Sequence, residues 1–207
     1  MTPATARTFA LLAALLGLPA MAIETPKFKV LETFDDVELR EYPGYLVAET
    51  EVEGDQRDVG NEAFSRLAGY IFGKNRGEKK IAMTAPVTQT AAEPTRIAMT
   101  APVTQQSTGQ RTWVVQFMMP AEWTLDTLPE PLDSRVHLRF VPPKRVAALR
   151  YSGTWSQANY REHLDALQDS LARRGLATRG EPIWARYDPP FKPWFLRTNE
   201  ILFELAN

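Results

Sequence analysis

With 207 residues and 24 Lys and Arg against 25 Asp and Glu, the chain is close to neutral, which excludes the basic footprint of a nucleic-acid binder. It contains no cysteine, so thiolate metal sites, thiol catalysis and disulfide reinforcement are excluded together. The core must hold by packing alone, and the length suffices for one domain with a substantial interior.

Residues 1–22 carry one charge, Arg7, then an apolar run over 9–18 and the sequence Pro19-Ala20-Met21-Ala22. This is the layout of a cleavable secretory signal, with Ile23 as the expected new N-terminus and a periplasmic or secreted location as its consequence. An uncleaved anchor or an unstructured tail is the alternative. The run is shorter than the about 20 residues that cross a bilayer, so no membrane span is expected after cleavage. Residues 23–207 are expected to form a single domain.

Within that domain, 27–33, 37–42 and 45–52 read as strands, turned at Asp35-Asp36 and at Pro43-Gly44. A helix is expected over about 59–72. Its residues Phe64, Leu67, Ala68 and Ile71 stand at i, i+3, i+4 and i+7 on one face, and Gly73 ends it. After a polar loop over 74–80, Ile81-Ala82-Met83-Thr84-Ala85-Pro86-Val87-Thr88-Gln89 is repeated letter for letter from Ile97 to Gln105, which predicts neighbouring strands of one sheet. Trp113, Val115, Phe117 and Met119 alternate with Val114, Gln116 and Met118, a strand apolar on nearly both sides and therefore expected in the sheet interior.

A second repeat appears at an offset of 99 residues. Val37-x-Leu39-Arg40-x-x-Pro43-x-x-x-Val47-Ala48 returns as Val136-x-Leu138-Arg139-x-x-Pro142-x-x-x-Val146-Ala147, and Gly54 falls on Gly153. The proline-rich connection over 120–131, holding Trp123, joins the copies. In the second copy, strands are expected over 136–141 and 146–152, turned at Pro142-Pro143. A helix then runs from an N-cap at Ser156 to about Arg174, with Tyr160, Leu164, Leu167 and Leu171 inward and Gly175 as its stop. Closing strands are expected over 183–187 and 200–205. Two sheet-rich units, 27–119 and 136–205, each with one helix on one face, can cover their sheet edges only by joining. The expectation is an α+β fold, a pseudo-twofold distorted β-barrel of two β-β-β-α-β-β-like repeats with two flanking helices.

Two motifs carry a family likeness: Met-Thr-Ala-Pro-Val after the first helix, and Tyr187-Asp188-Pro189-Pro190-Phe191-Lys192-Pro193 followed by Asn199-Glu200. In this order, about 90 residues apart, they resemble the SOUL haem-binding proteins, and the likeness runs from about Glu24 to Leu205. It implies a distorted barrel with two helices and a porphyrin lying against the first helix without an obligatory histidine. By position along that helix, Phe64, Leu67, Ala68 and Ile71 match the family's apolar contact side, whereas periodicity alone has all four facing the core. Lys192 matches a lysine proposed to meet a propionate, and the flanking prolines hold it on a stiff backbone. Helix positions at which relatives place further cations are Asn61 and Gly69 here, with Arg57, Arg66 and Lys74 nearby as substitutes.

Catalytic patterns are missing: there is no Gly-x-Ser-x-Gly, no His-Glu-x-x-His and no phosphate-cradling glycine loop, so no enzyme is expected, with haem processing left open. His137 reads as a solvent-facing or rim residue. His163 beside the second helix's stripe is an amphipathic boundary residue or an iron ligand. Met83 and Met99 read as packing. Glu200 and Glu204 share a strand face; if that face lines a cavity, a carboxylate there attracts an apolar cation, and if it faces water both are surface charges. The leading expectation is thus an exported carrier or buffer for haem or a related tetrapyrrole. The alternative is a sensor or scaffold domain that binds amphipathic cations or a protein partner. Neither reading specifies an oligomeric state.

Overall fold

The computed structural model of the protein describes residues 24–54, 56–91 and 112–206, without the side chains of 56–59. The expected leader, 1–22, and the second Ile-Ala-Met-Thr copy with Met99 lie outside the described residues. In chain order the elements are β1 (Lys29–Phe34), β2 (Val37–Tyr42), β3 (Tyr45–Glu53), α1 (Gln56–Ile71), β4 (Val87–Ala91), β5 (Thr112–Met118), β6 (His137–Val141), β7 (Lys144–Tyr151), α2 (Gln157–Arg173), β8 (Thr178–Arg186), a 3-10 turn at Trp194–Leu196, and β9 (Asn199–Leu205).

All nine strands join one antiparallel sheet in the order β1-β2-β7-β9-β8-β4-β5-β3-β6. Outward from the central β8–β4 pair, one side runs β9, β7, β2, β1 and the other runs β5, β3, β6. Under the 99-residue repeat β2 corresponds to β6 and β3 to β7, and β1 is the additional strand of the first side. The strands flanking Pro43 do not pair with each other. Instead β2 pairs with β7, with Val37 opposite Leu149, and β3 pairs with β6, with Tyr45 opposite Val141. Each copy lends its strands to the other, so neither half has a complete sheet of its own.

The expected barrel is not closed. Among the described residues β1 and β6 are both edges with no ladder between them, and β1 is largely exposed. The sheet nevertheless curls, because residues from opposite ends of the ladder, Tyr42 of β2 and Val47 of β3, line one small cavity with Val146 and Leu202. Strong curl without closure follows from the right-handed twist that every strand carries.

Both helices cover the same face. Directly paired residues Val115, Gln89, Trp184, Ile201 and Leu149 form one row across the sheet. At one end of that row α1 packs on β3 and β5, burying Leu67, Tyr70 and Ile71 against Ala48, Val52, Val115 and Phe117. At the other end α2 packs on β7 and β9, burying Tyr160, Leu167 and Leu171 against Ala147, Leu149, Ile201 and Phe203. Strands β4 and β8 run between the helices.

Local signals explain the helix ends. The Ser156 hydroxyl accepts the Asn159 N–H at 3.2 Å, satisfying one of the unpaired donors of the first turn of α2. Gly175, at φ 65°, closes the last turn as its N–H donates to the Ala172 carbonyl. Gly54 and Gly153, equivalent in the repeat, both take positive φ, 138° and 115°. At Gly153 a Cβ would stand 2.8 Å from Asn159 Nδ2. Gly153→Ala is therefore expected to cost about 1–3 kcal/mol through strain and crowding, read as a lowered midpoint in thermal melts.

Two expectations need correction here. The first Ile-Ala-Met-Thr copy is not a strand, since the ladder begins only at Val87. Ile81 is buried with the α1 core and donates its N–H to the Ile71 carbonyl. The Thr84 hydroxyl donates to the Met118 carbonyl and the Ala85 N–H donates to the Glu24 carbonyl, so separate anchors rather than a continuous ladder tie this segment down. The strand expected over 183–187 begins earlier, at Thr178, and accommodates Gly180 and Pro182 by a register shift between Arg179 and Ile183. The apolar alternation of 113–119 correctly placed β5 inside the sheet, between β4 and β3.

Candidate ligand-binding surface

The residues expected on the contact side of the first helix divide into two groups. Leu67 and Ile71, at 0% and 1% exposure, sit in the core beneath α1, and Ala68 is nearly as buried. On this structure they support the helix from below and offer no surface to a ligand; the 3.6-residue stripe faces the sheet, as periodicity alone predicts. Phe64 is 41% exposed, with its ring edge-to-face against Phe117 of β5 at 5.3 Å between centroids. Phe72, just past the helix, is also exposed.

The substitute cations divide as well. Arg66 is committed to Thr50, the Glu51 carbonyl and Glu62. The Lys74 stem lies over Gly69, where a Cβ would stand 3.1 Å from its Cδ, so this lysine occupies space above a helix position that has no side chain of its own. The side chain of Arg57 lies outside the described atoms.

Lys192 belongs to a stapled loop. Its Nζ donates to Asp188 Oδ1 at 2.6 Å, and Asp188 Oδ2 accepts the Thr198 N–H. Arg197 donates to the Lys192 and Pro190 carbonyls. On this frame Phe191, at 87% exposure, and Trp194, Phe195 and Leu196 project into solvent.

Three residues that the sequence reading did not single out join this loop to α1. The guanidinium carbons of Arg197 and Arg186 lie 4.4 and 5.0 Å from the Trp155 ring centroid, and the Trp155 indole donates to Asn199 Oδ1 at 2.9 Å. Arg186 Nη1 then reaches helix α1, 3.6 Å from where a Cβ on Gly60 would stand. Alternation in β8 puts Arg186 on the face of Trp184, under the helices, and that period-2 pattern was the available signal. Phe64 packs on Phe117, which shares a row of paired residues with Val87 and Arg186, and Arg186 leads through Trp155 and Arg197 to the Lys192 loop.

The family model for "SOUL heme-binding protein" matches residues 23–204. The chain belongs to this family. It is 28% identical over 197 residues to heme-binding protein 2 of Mus musculus, covering 89% of this chain and 91% of the mouse protein. With heme-binding protein 2 of Homo sapiens it is 29% identical over 194 residues, covering 87% and 89%. The fold is shared with the EcmrR C-terminal domain, at a TM-score of 0.59 and 10% identity over 83% of this chain and 97% of that one.

Haem is the ligand that SOUL membership assigns, and the residues present fit it. The small cavity inside the curled sheet, about 50 Å³, has room for only one or two waters, so a macrocycle must bind outside it. On the outer surface α1 carries an exposed aromatic ring, and the Trp155 stack and the neighbouring loop carry cations, the two kinds of group that a flat apolar dianion requires. With a porphyrin on this surface, Phe64 would meet the ring, and Arg186, Arg197 and Lys192 would meet its carboxylates. Bound haem would supply the iron chemistry; these side chains bind and orient it.

Glu200 is not free for an apolar cation. It is fully buried, accepts both outer nitrogens of Arg40 at 2.9 Å, and also accepts Arg150 and the Tyr187 hydroxyl. Glu204 is bonded to Arg179 and lies 3.8 Å from Lys144. Neither carboxylate lines the small cavity inside the curled sheet, and each is already paired with cations of the fold. His163 is half-buried, stacks on Tyr151 and donates from Nδ1 to the Asn159 carbonyl at 2.7 Å, as a boundary residue would. His137 is exposed and Met83 packs against the α1 core, both as expected. Among the described residues no group of three His, Asp or Glu is placed to hold a metal ion.

Proposed function

We propose that this SOUL protein is an exported carrier or buffer for haem or a related tetrapyrrole, working by capture and release without turnover. The observation that carries the reading is the continuous path from the Phe64 side of α1, through Arg186, Trp155 and Arg197, to the Lys192 loop. Apolar contact supplies most of the affinity and the cations fix the ring's orientation. The names of the mouse and human relatives support haem as the ligand. Export rests on the charge, apolar run and small residues of positions 1–22.

Titration of the protein comprising residues 23–207 with hemin tests the reading. A saturable Soret change with one ring per chain is expected. A response that rises linearly with added hemin and never saturates would remove the proposal.

A further inference from the structure

Phe117, Val87, Arg186, Asn199 and Tyr151 form a second row of paired residues across the sheet, two positions along from the first, and Arg186 is its only cation. The Arg186 guanidinium is half-buried between the Trp155 ring and the Gly60 turn of α1. Burial pulls its pKa below the ordinary arginine value, with Tyr151 opposing the effect.

Its hydrogen-bonding state sets it apart from the other arginines held in the fold. Arg40 spends its donors on Glu38, Tyr42 and Glu200, Arg66 on Thr50, Glu51 and Glu62, and Arg197 on two backbone carbonyls. Among the described residues no carboxylate, carbonyl or hydroxyl accepts from Arg186; its contacts are a ring face and a helix turn. A guanidinium withdrawn from water without an anion is costly to hold, and a chain that folds around one keeps a binding group in reserve. Stacking on Trp155 fixes the plane of its fork, which lowers the ordering cost of a two-point contact with a carboxylate.

We infer that Arg186 is the carboxylate-binding residue of this surface, and that the surface takes tetrapyrroles with free propionates in preference to their esters. The inference rests on the haem reading and sharpens it to a ligand class. Lys192 and Arg197 each have partners within the loop, so they complete the cationic edge, while among the described residues none of the Arg186 donors is committed.

The test is fluorescence titration of protoporphyrin IX and of its dimethyl ester into the wild-type protein, Arg186→Gln and Arg186→Lys, with a thermal melt of each protein free of ligand. Arg186→Gln is expected to weaken the free acid about tenfold and leave the ester unchanged, with Arg186→Lys between. Its melting temperature should stay level or rise, since an unpaired half-buried charge has been removed. Equal wild-type affinity for acid and ester, or equal loss of both in Arg186→Gln, overturns the assignment while leaving tetrapyrrole binding standing. A lowered melting temperature with unchanged affinity for the acid also overturns it, by making the residue structural. Absence of saturable binding by either porphyrin to the wild-type protein removes the haem reading, and this inference with it.

Discussion

Glu200→Gln is expected to lower the unfolding free energy by about 3–5 kcal/mol, the usual loss when one member of a buried ion pair is removed. Glu200 and Arg40 are both sealed from solvent, at 0% and 1% exposure, and their two 2.9 Å bonds form a planar fork between β2 and β9, strands that do not touch and flank β7. Arg150 at 3.1 Å and the Tyr187 hydroxyl at 2.6 Å complete the carboxylate's acceptor capacity. With the charge gone, Arg40 keeps Glu38, Tyr42, the Phe28 ring and at best one amide oxygen, and a guanidinium remains in the core without its main counter-ion. Urea denaturation reads the loss directly. Replacing both partners with apolar residues of similar volume should recover part of the stability, because no isolated charge is left behind.

The same pair predicts an acid limit. Burial pushes the Glu200 carboxyl up, but the bonds and charge of Arg40, helped by Tyr187 and Arg150, hold it below its ordinary value of 4.5. A carboxyl with a depressed native pKa adds stability that is complete above the unfolded value and is lost as pH falls through the folded one. Urea midpoints of the wild-type protein should therefore decline below about pH 4.5, and those of Glu200→Gln should decline less over the same range.

Leu67→Ala is expected to cost about 2–5 kcal/mol of stability, while the protein that remains folded binds haem as tightly as wild type. Leu67 touches only the core beneath α1, so its loss leaves a cavity and no gap at the surface. Phe64→Ala should do the reverse. Its ring is already two-fifths exposed, so folding loses little, but a macrocycle loses its aromatic contact, worth about 1–2 kcal/mol or a five- to thirtyfold weaker Kd. Urea curves and hemin titrations of the two variants separate a residue that builds the helix platform from one that meets the ligand.

That separation marks where sequence stops and structure is needed. Helix α2 was legible almost to the residue because its signals are local: a serine cap, a 3.6-residue stripe, and a glycine that tolerates φ 65°. The twofold design was legible from the 99-residue repeat. Strand exchange was not, because Pro43-Gly44 reads as a hairpin turn and nothing nearby says that β2 belongs beside β7, about 100 residues on. The open edge at β1 escaped notice for the same reason. In the site, Lys192 and Phe64 stood out through motif and period. Trp155, Arg186 and Arg197 did not, since their meaning lies in stacking between segments that the chain separates and the sheet reunites. Glu200 looked like a surface or cavity carboxylate until Arg40 was found opposite it across an intervening strand.

Hydrogen exchange with and without saturating hemin tests the location of the binding surface most directly. Slowed exchange is expected in α1 around Gly60–Ala68 and in the 186–199 segment, with the rest of the sheet unchanged. Protection centred instead on the separate cleft of about 410 Å³ at the start of β3, lined by Trp123, Leu125 and Phe140, would contradict the account.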